Sequence, residues 1–85
     1  MSYRLSIKRS AEKEMDRIPS HIHKKISDRI GSLAIDPFPV GCKKLQSSND
    51  AFRIRIGDYR VLYTVDRANN VVEVYAAGHR RDVYR

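Results

Sequence analysis

Phe52-Arg53-Ile54-Arg55-Ile56-Gly57-Asp58-Tyr59-Arg60-Val61-Leu62-Tyr63 is the stretch on which the fold turns. Apolar and charged residues alternate on both sides of a Gly-Asp pair, the period-2 pattern of two strands joined by a tight turn that begins with glycine. A two-residue turn at Gly57-Asp58 sets the register: Ile56 opposite Tyr59, Arg55 opposite Arg60, Ile54 opposite Val61 and Arg53 opposite Leu62. Side chains alternate between the faces of a strand, so Phe52, Ile54, Ile56, Tyr59, Val61, Tyr63 and Val65 share one side and Arg53, Arg55 and Arg60 the other. The apolar side needs a cover. The other side crowds three guanidinium groups, and like charges directly opposed across strands destabilise a sheet by an amount comparable to the roughly 0.2–1 kcal/mol that opposite charges gain. An anion bridging Arg55 and Arg60 reverses that sign, which makes the patch a candidate phosphate site. The alternative is a structural counter-ion, Glu73 on the next strand or Asp58 in the turn, one acid against three cations.

Upstream, Tyr3 to Ile7 alternates in the same way and predicts a first strand. Ser10 fits a helix N-cap, with Glu12 and Glu14 in the first turn and Ala11, Met15 and Ile18 at helical spacing until Pro19. Ser20 can cap a second helix whose stripe Ile22, Ile26, Ile30 and Leu33 is core, ending at Asp36-Pro37. An irregular connection follows as far as Asp50, through Pro37, Pro39, Gly41 and Lys43-Lys44; loops of this length are uncommon and often functional. Downstream, Asn69-Asn70 marks a turn and Val71 to Ala77 a β-branched strand that ends at Gly78. The order β-α-α-β-β-β predicts an α+β fold in which two N-terminal helices pack on one face of a mostly antiparallel four-stranded sheet, the other face being open.

The 85 residues make one domain, 1–85, with 17 Lys and Arg against 10 Asp and Glu, net charge +7. A chain this short buries only about 60–65% of its unfolded surface, too little for a large cofactor pocket, and none is expected. Neither a run of roughly 18 apolar residues nor a signal-type apolar segment occurs, so the expected location is the cytoplasm, with no membrane partner. Cys42 stands alone, which excludes an internal disulfide and a thiolate metal site; no metal ligands are assigned. Arg outnumbers Lys by 11 to 6. Its planar fork suits phosphate, although net charge by itself fits a solubilising surface equally well.

His21 and His23 diverge on the second helix and read as solvated. His79, after Gly78 and before Arg80-Arg81, is either a catalytic or RNA-contacting group or a plain surface residue. Tyr84 can pack on the domain, bring its phenol beside the arginines or stack on a base.

The stretch from Phe52 to Tyr63, with Gly78-His79-Arg80-Arg81-Asp82-Val83-Tyr84, resembles the RelE/ParE superfamily of bacterial and archaeal toxins, in its RelE-like branch. The first strand, the helix pair and Lys43-Lys44-Leu45 are similar too, so the likeness spans essentially the whole chain. It implies the toxin of a type II toxin–antitoxin system, an endoribonuclease that cleaves mRNA, in many members within the ribosomal A site against rRNA, and is held inactive by an acidic RelB-like antitoxin. The positions it implies as catalytic are Arg53, Arg55, Arg60, Arg80 and Tyr84, with His79 a possible accessory and Lys43, Lys44 and Arg81 as RNA contacts. ParE-like toxins share the architecture but poison DNA gyrase by protein contact, which is the main alternative; a nuclease-dead RNA binder is a third.

Cleavage without a metal requires the 2′-hydroxyl to attack the adjacent phosphorus, leaving a 2′,3′-cyclic phosphate and a 5′-hydroxyl. One group accepts the 2′ proton, others stabilise the phosphorane, and one protonates the leaving oxygen. The sequence provides neither a histidine pair nor clustered carboxylates on the open face, so arginine carries the electrostatic work. Arg60 and Arg80 are expected at the phosphorane oxygens, and Arg53 and Arg55 at phosphate positioning. Tyr84 is the expected base, its phenol acidified by surrounding cations, and Arg55 or His79 the acid.

Overall fold

The computed structural model describes residues 2–46 and 49–81. The chain runs through β1 (Arg4–Ile7), α1 (Arg9–Asp16), α2 (Ser20–Leu33), β2 (Lys43–Lys44), β3 (Ala51–Ile56), β4 (Tyr59–Asp66) and β5 (Val71–His79). The strands form one five-stranded sheet in the order β1-β5-β4-β3-β2. Every neighbouring pair is antiparallel except β1 and β5, which run parallel. The α+β class and the helix-covered face agree with the sequence reading. The expected count of four strands is corrected to five, because Lys43 pairs with Arg53 and Lys44 with Phe52 inside the expected loop. Two residues carry no periodic signal; the edge of β3 makes them a strand.

Both helix starts differ from the expected caps. Lys8 donates its N–H to the Val74 carbonyl at 2.9 Å, so strand bonding continues up to the residue from which α1 departs. Lys8 therefore holds the N-cap position and Ser10 lies inside the helix. Pro19 precedes α2, its carbonyl accepting the N–H groups of Ile22 and His23 at 3.0 and 2.8 Å, and Ser20 is the first helical residue. The helix ends at Leu33, short of Asp36-Pro37, and the Ala34 carbonyl accepts the Tyr3 N–H, tying the end of α2 to the start of β1.

Ala11, Met15, Ile18, Ile26, Ile30 and Leu33 pack on Ile54, Val61, Tyr63, Val65, Val72, Val74 and Ala77, with Phe52, Ile56 and Tyr59 partly buried at the margin. All seven residues assigned to the helix side of the hairpin are there. Burial of each large aliphatic side chain contributes about 1.5–3 kcal/mol. The segment after α2 is pinned by Tyr63, whose hydroxyl donates to the Pro37 carbonyl at 2.7 Å. Phe38 meets Phe52 edge-on at 5.1 Å, Phe52 stacks with Tyr63 at 6.0 Å, and the Arg67 guanidinium lies 4.8 Å over Phe38.

Candidate nucleic-acid interface

The β3–β4 register is the one set by Gly57-Asp58: Ile56 faces Tyr59, Arg55 faces Arg60, Ile54 faces Val61 and Arg53 faces Leu62. Gly57 has φ 60° while Asp58 does not share the positive φ, the II′ pattern that suits a two-residue hairpin. Across the next interface Arg60 faces Gly78 and Leu62 faces Ala76, whereas Tyr63 already faces Val74. Tyr75 is thus the extra residue of a β-bulge. The bulge resets the alternation: Val72, Val74 and Ala77 all reach the core, and Gly78 and Arg80 fall on the open face. Sequence reading missed this device; its only trace is the small-residue run Ala76-Ala77-Gly78.

The open face therefore carries two cross-strand rows. One is Lys43, Arg53, Leu62 and Ala76; the other is Arg55, Arg60 and Gly78. Gly78 brings no side chain to the row beside Arg60. Arg80 donates its N–H to the Asp58 carbonyl at 2.8 Å, which fastens the segment after β5 to the β3–β4 turn. Arg55, Arg60 and Arg80 are so gathered at one end of the sheet. Arg55 and Arg80 are exposed and Arg60 is half-buried. Arg53 shares their face but is only 9% exposed, far more enclosed than its place on an open face suggests.

The other residues singled out earlier separate. Lys43 sits beside Arg53, while Lys44, opposite Phe52, belongs to the helix side. Arg81 is exposed just beyond Arg80. His79 lies opposite Tyr59 on the helix side, the two rings meeting edge-on at 5.5 Å. Its Nδ1 accepts the Arg81 N–H at 3.2 Å, so the imidazole supports the turn that carries Arg80 and Arg81. Tyr84 lies outside the described residues. Glu73 is at the far end of β5, opposite Thr64 and accepting from the Ser6 hydroxyl at 3.5 Å, away from the Arg55–Arg60 pair.

Charge divides the open face. A hollow of about 1020 Å³ at the far end mixes Arg4 and Arg67 with Asp50, Asp66 and Glu73, whereas the turn end presents arginine from three strand segments. Burial, with the Cys42 thiol and the Asp36 carboxylate nearby, pushes the Tyr63 phenol above its ordinary value, so it acts as a donor to Pro37 and not as a base. Among the described residues no three His, Cys, Asp or Glu side chains gather as metal ligands, and no helix is long and apolar enough to cross a membrane.

Comparison with known proteins bears on this arrangement. The model of the ParE toxin of the type II toxin–antitoxin system parDE matches residues 5–84. Toxin RelG of Mycobacterium tuberculosis is 28% identical over 86 residues, covering 100% of this chain and 99% of that protein. RelE1 of Methanocaldococcus jannaschii is 26% identical over 88 residues, with 100% and 98% covered. In the crystal structure of the archaeal RelE–RelB complex from Pyrococcus horikoshii OT3, one chain is similar at 26% identity and TM-score 0.84, over 98% of this chain and 100% of that one. Sharing its sequence with these toxins along nearly its whole length, and its fold with RelE, the chain belongs to the RelE/ParE superfamily of toxins of type II toxin–antitoxin systems.

Proposed function

We propose that this toxin is a RelE-like endoribonuclease that cleaves mRNA in the ribosomal A site, without a metal or small-molecule cofactor. The observation that carries the reading is the Arg55–Arg60 pair, with Arg80 fastened at the same end of the sheet. A cross-strand pair of cations weakens the free protein and becomes favourable when a phosphate lies between them. Arg60 and Arg80 take the phosphorane oxygens, and Arg53 and Arg55 position phosphate. Tyr84 accepts the 2′ proton and Arg55 supplies the proton to the leaving 5′ oxygen. His79 is an accessory that positions the Arg80-Arg81 turn through its ring nitrogen. Arginine is a weak acid at neutral pH, so the isolated enzyme is slow, and the ribosome contributes by orienting the codon. Exposed Lys43 and Arg81 extend the contact to mRNA and rRNA; Lys44 serves RNA approaching the β2 edge.

An acidic RelB-like antitoxin, encoded for the same cytoplasm, covers the Arg55, Arg60 and Arg80 end or displaces the segment beyond it. The similarity to the RelE of a RelE–RelB complex supports such a partner. The family match to ParE favours a second reading, in which the chain inhibits DNA gyrase by protein contact. One experiment separates them: purified toxin is added to ribosomes programmed with a short mRNA, and in parallel to gyrase and relaxed plasmid. Cleavage in the A site with 2′,3′-cyclic phosphate and 5′-hydroxyl ends supports the nuclease. Intact mRNA with blocked supercoiling overturns it, and a 3′-hydroxyl product overturns the 2′-hydroxyl attack.

A further inference from the structure

We infer that Lys43 and Arg53 form a second phosphate subsite, which holds the phosphate next to the scissile one; the inference rests on the nuclease reading above. Lys43 and Arg53 are direct partners across β2 and β3, so the sheet carries a second like-charge pair on the same face as Arg55 and Arg60. Arg53 is nine-tenths buried, and no described carboxylate pairs with it. A guanidinium in that state is unfavourable unless an anion completes it. The two rows are separated by two residues of β3, about 6.6 Å, which is close to one nucleotide step of an extended strand. Successive phosphates of an RNA laid along β3 thus meet successive cation pairs.

The rows differ in what they can do. Arg55, Arg60 and Arg80 bring donors to a phosphate from three strand segments at the turn end of the sheet. The Lys43–Arg53 row continues into Leu62, 5% exposed, and Ala76, and offers cations on one side only. That arrangement grips a phosphate without attacking it. Holding the neighbour fixes the slide of the strand along β3 and so aligns the 2′-hydroxyl with the scissile phosphorus.

Short mRNAs carrying one uncharged methylphosphonate linkage, on either side of the cleavage site, test the subsite on programmed ribosomes in single-turnover cleavage. In the unaltered toxin, one of the two flanking substitutions should slow cleavage about ten- to a hundredfold, the range for a hydrogen bond to a charged group. In Lys43→Ala the same substitution should cost at least about threefold less, because one of the two partners of that phosphate is already gone. Equal penalties in both proteins, or no penalty from either linkage in the unaltered toxin, overturn the subsite while leaving the nuclease standing. A toxin that leaves unmodified mRNA intact removes both. Arg53→Met, which keeps the buried stem, should lose the same sensitivity and melt at an equal or higher temperature. A lowered melting temperature means that a carboxylate of the chain already neutralises Arg53, and overturns the inference.

Discussion

Replacing Arg60 with Met keeps a long side chain on β4 and removes one of two opposed charges. Directly opposite residues have Cβ atoms about 5 Å apart. Two unit charges at that distance repel by about 0.8 kcal/mol in water and about 3 kcal/mol at an effective dielectric of about 20. Arg55 is exposed, which sets the relief toward the lower figure, about 0.2–1 kcal/mol. For a domain of this size that is a rise in melting temperature of about 1–8 °C. The rise should shrink at 1 M salt, where the screening length is about 3 Å. Activity should move the other way. Loss of one phosphorane contact lowers single-turnover cleavage on ribosomes by about 10²–10³, by analogy with oxyanion-hole donors. Melting by circular dichroism at low and high salt, beside cleavage of the same preparations, gives both readings. A melting temperature lowered by several degrees, or undiminished cleavage, would show that Arg60 is a structural residue and refute the phosphate reading of the pair.

Tyr63→Phe removes the bond to the Pro37 carbonyl and leaves that acceptor unsatisfied in a buried setting; a loss of about 1–3 kcal/mol is expected, and an unchanged denaturant midpoint would show that the segment after α2 is held by its aromatic contacts alone. Gly57→Ala places a Cβ in open space but forces an L-residue to φ 60°, so the expected loss, about 1–2 kcal/mol, is purely backbone. Chemical synthesis with D-alanine at position 57 should recover it, and failure to recover would locate the effect elsewhere. Hydrogen bonds from Asn69 hold the Asp66 carboxyl below its ordinary value. Its contribution to stability is therefore present above about pH 4 and lost as the pH falls; Asp66→Ala should flatten that part of the acid-unfolding curve, and an identical curve would deny the Asp66–Asn69 bonds any role.

The hairpin was fully legible because its signal is local: the turn residues Gly57-Asp58 fix which residues pair, and strict alternation then fixes the faces. The Ile26, Ile30, Leu33 stripe was legible for the same reason, as a single face of one helix. What escaped depends on partners distant in sequence. Lys43-Lys44 become a strand only because β3 presents an edge. Ser10 loses its cap role to Lys8 because the Val74 carbonyl, more than sixty residues away, still holds the chain there. The bulge at Tyr75 was hidden because Val71 to Ala77 reads as one unbroken strand, and one extra residue leaves no more trace there than the small-residue run that follows it. Its effect falls on the site, since it decides that Arg80 shares a face with Arg60 while His79 does not. The burial of Arg53 was hidden as well: alternation assigns a face, and enclosure depends on the neighbours.

The sheet tolerates two like-charge pairs because alternation places its best-buried residues between them. Ile54, fully buried, separates Arg53 from Arg55, and Val61, equally buried, separates Arg60 from Leu62. Ala77, beside Gly78, closes the same layer under α1. The burial of Ile54 and Val61 contributes about 1.5–3 kcal/mol each, several times the roughly 0.2–1 kcal/mol of each opposed pair. Repulsion on one face is therefore outweighed through the thickness of the same strands. The strands thus hold their cations close and at fixed spacing, an arrangement suited to the RNA phosphate or the acidic antitoxin side chains proposed above. Competition between those two for one set of guanidiniums would make inhibition and catalysis alternatives at the same end of the sheet.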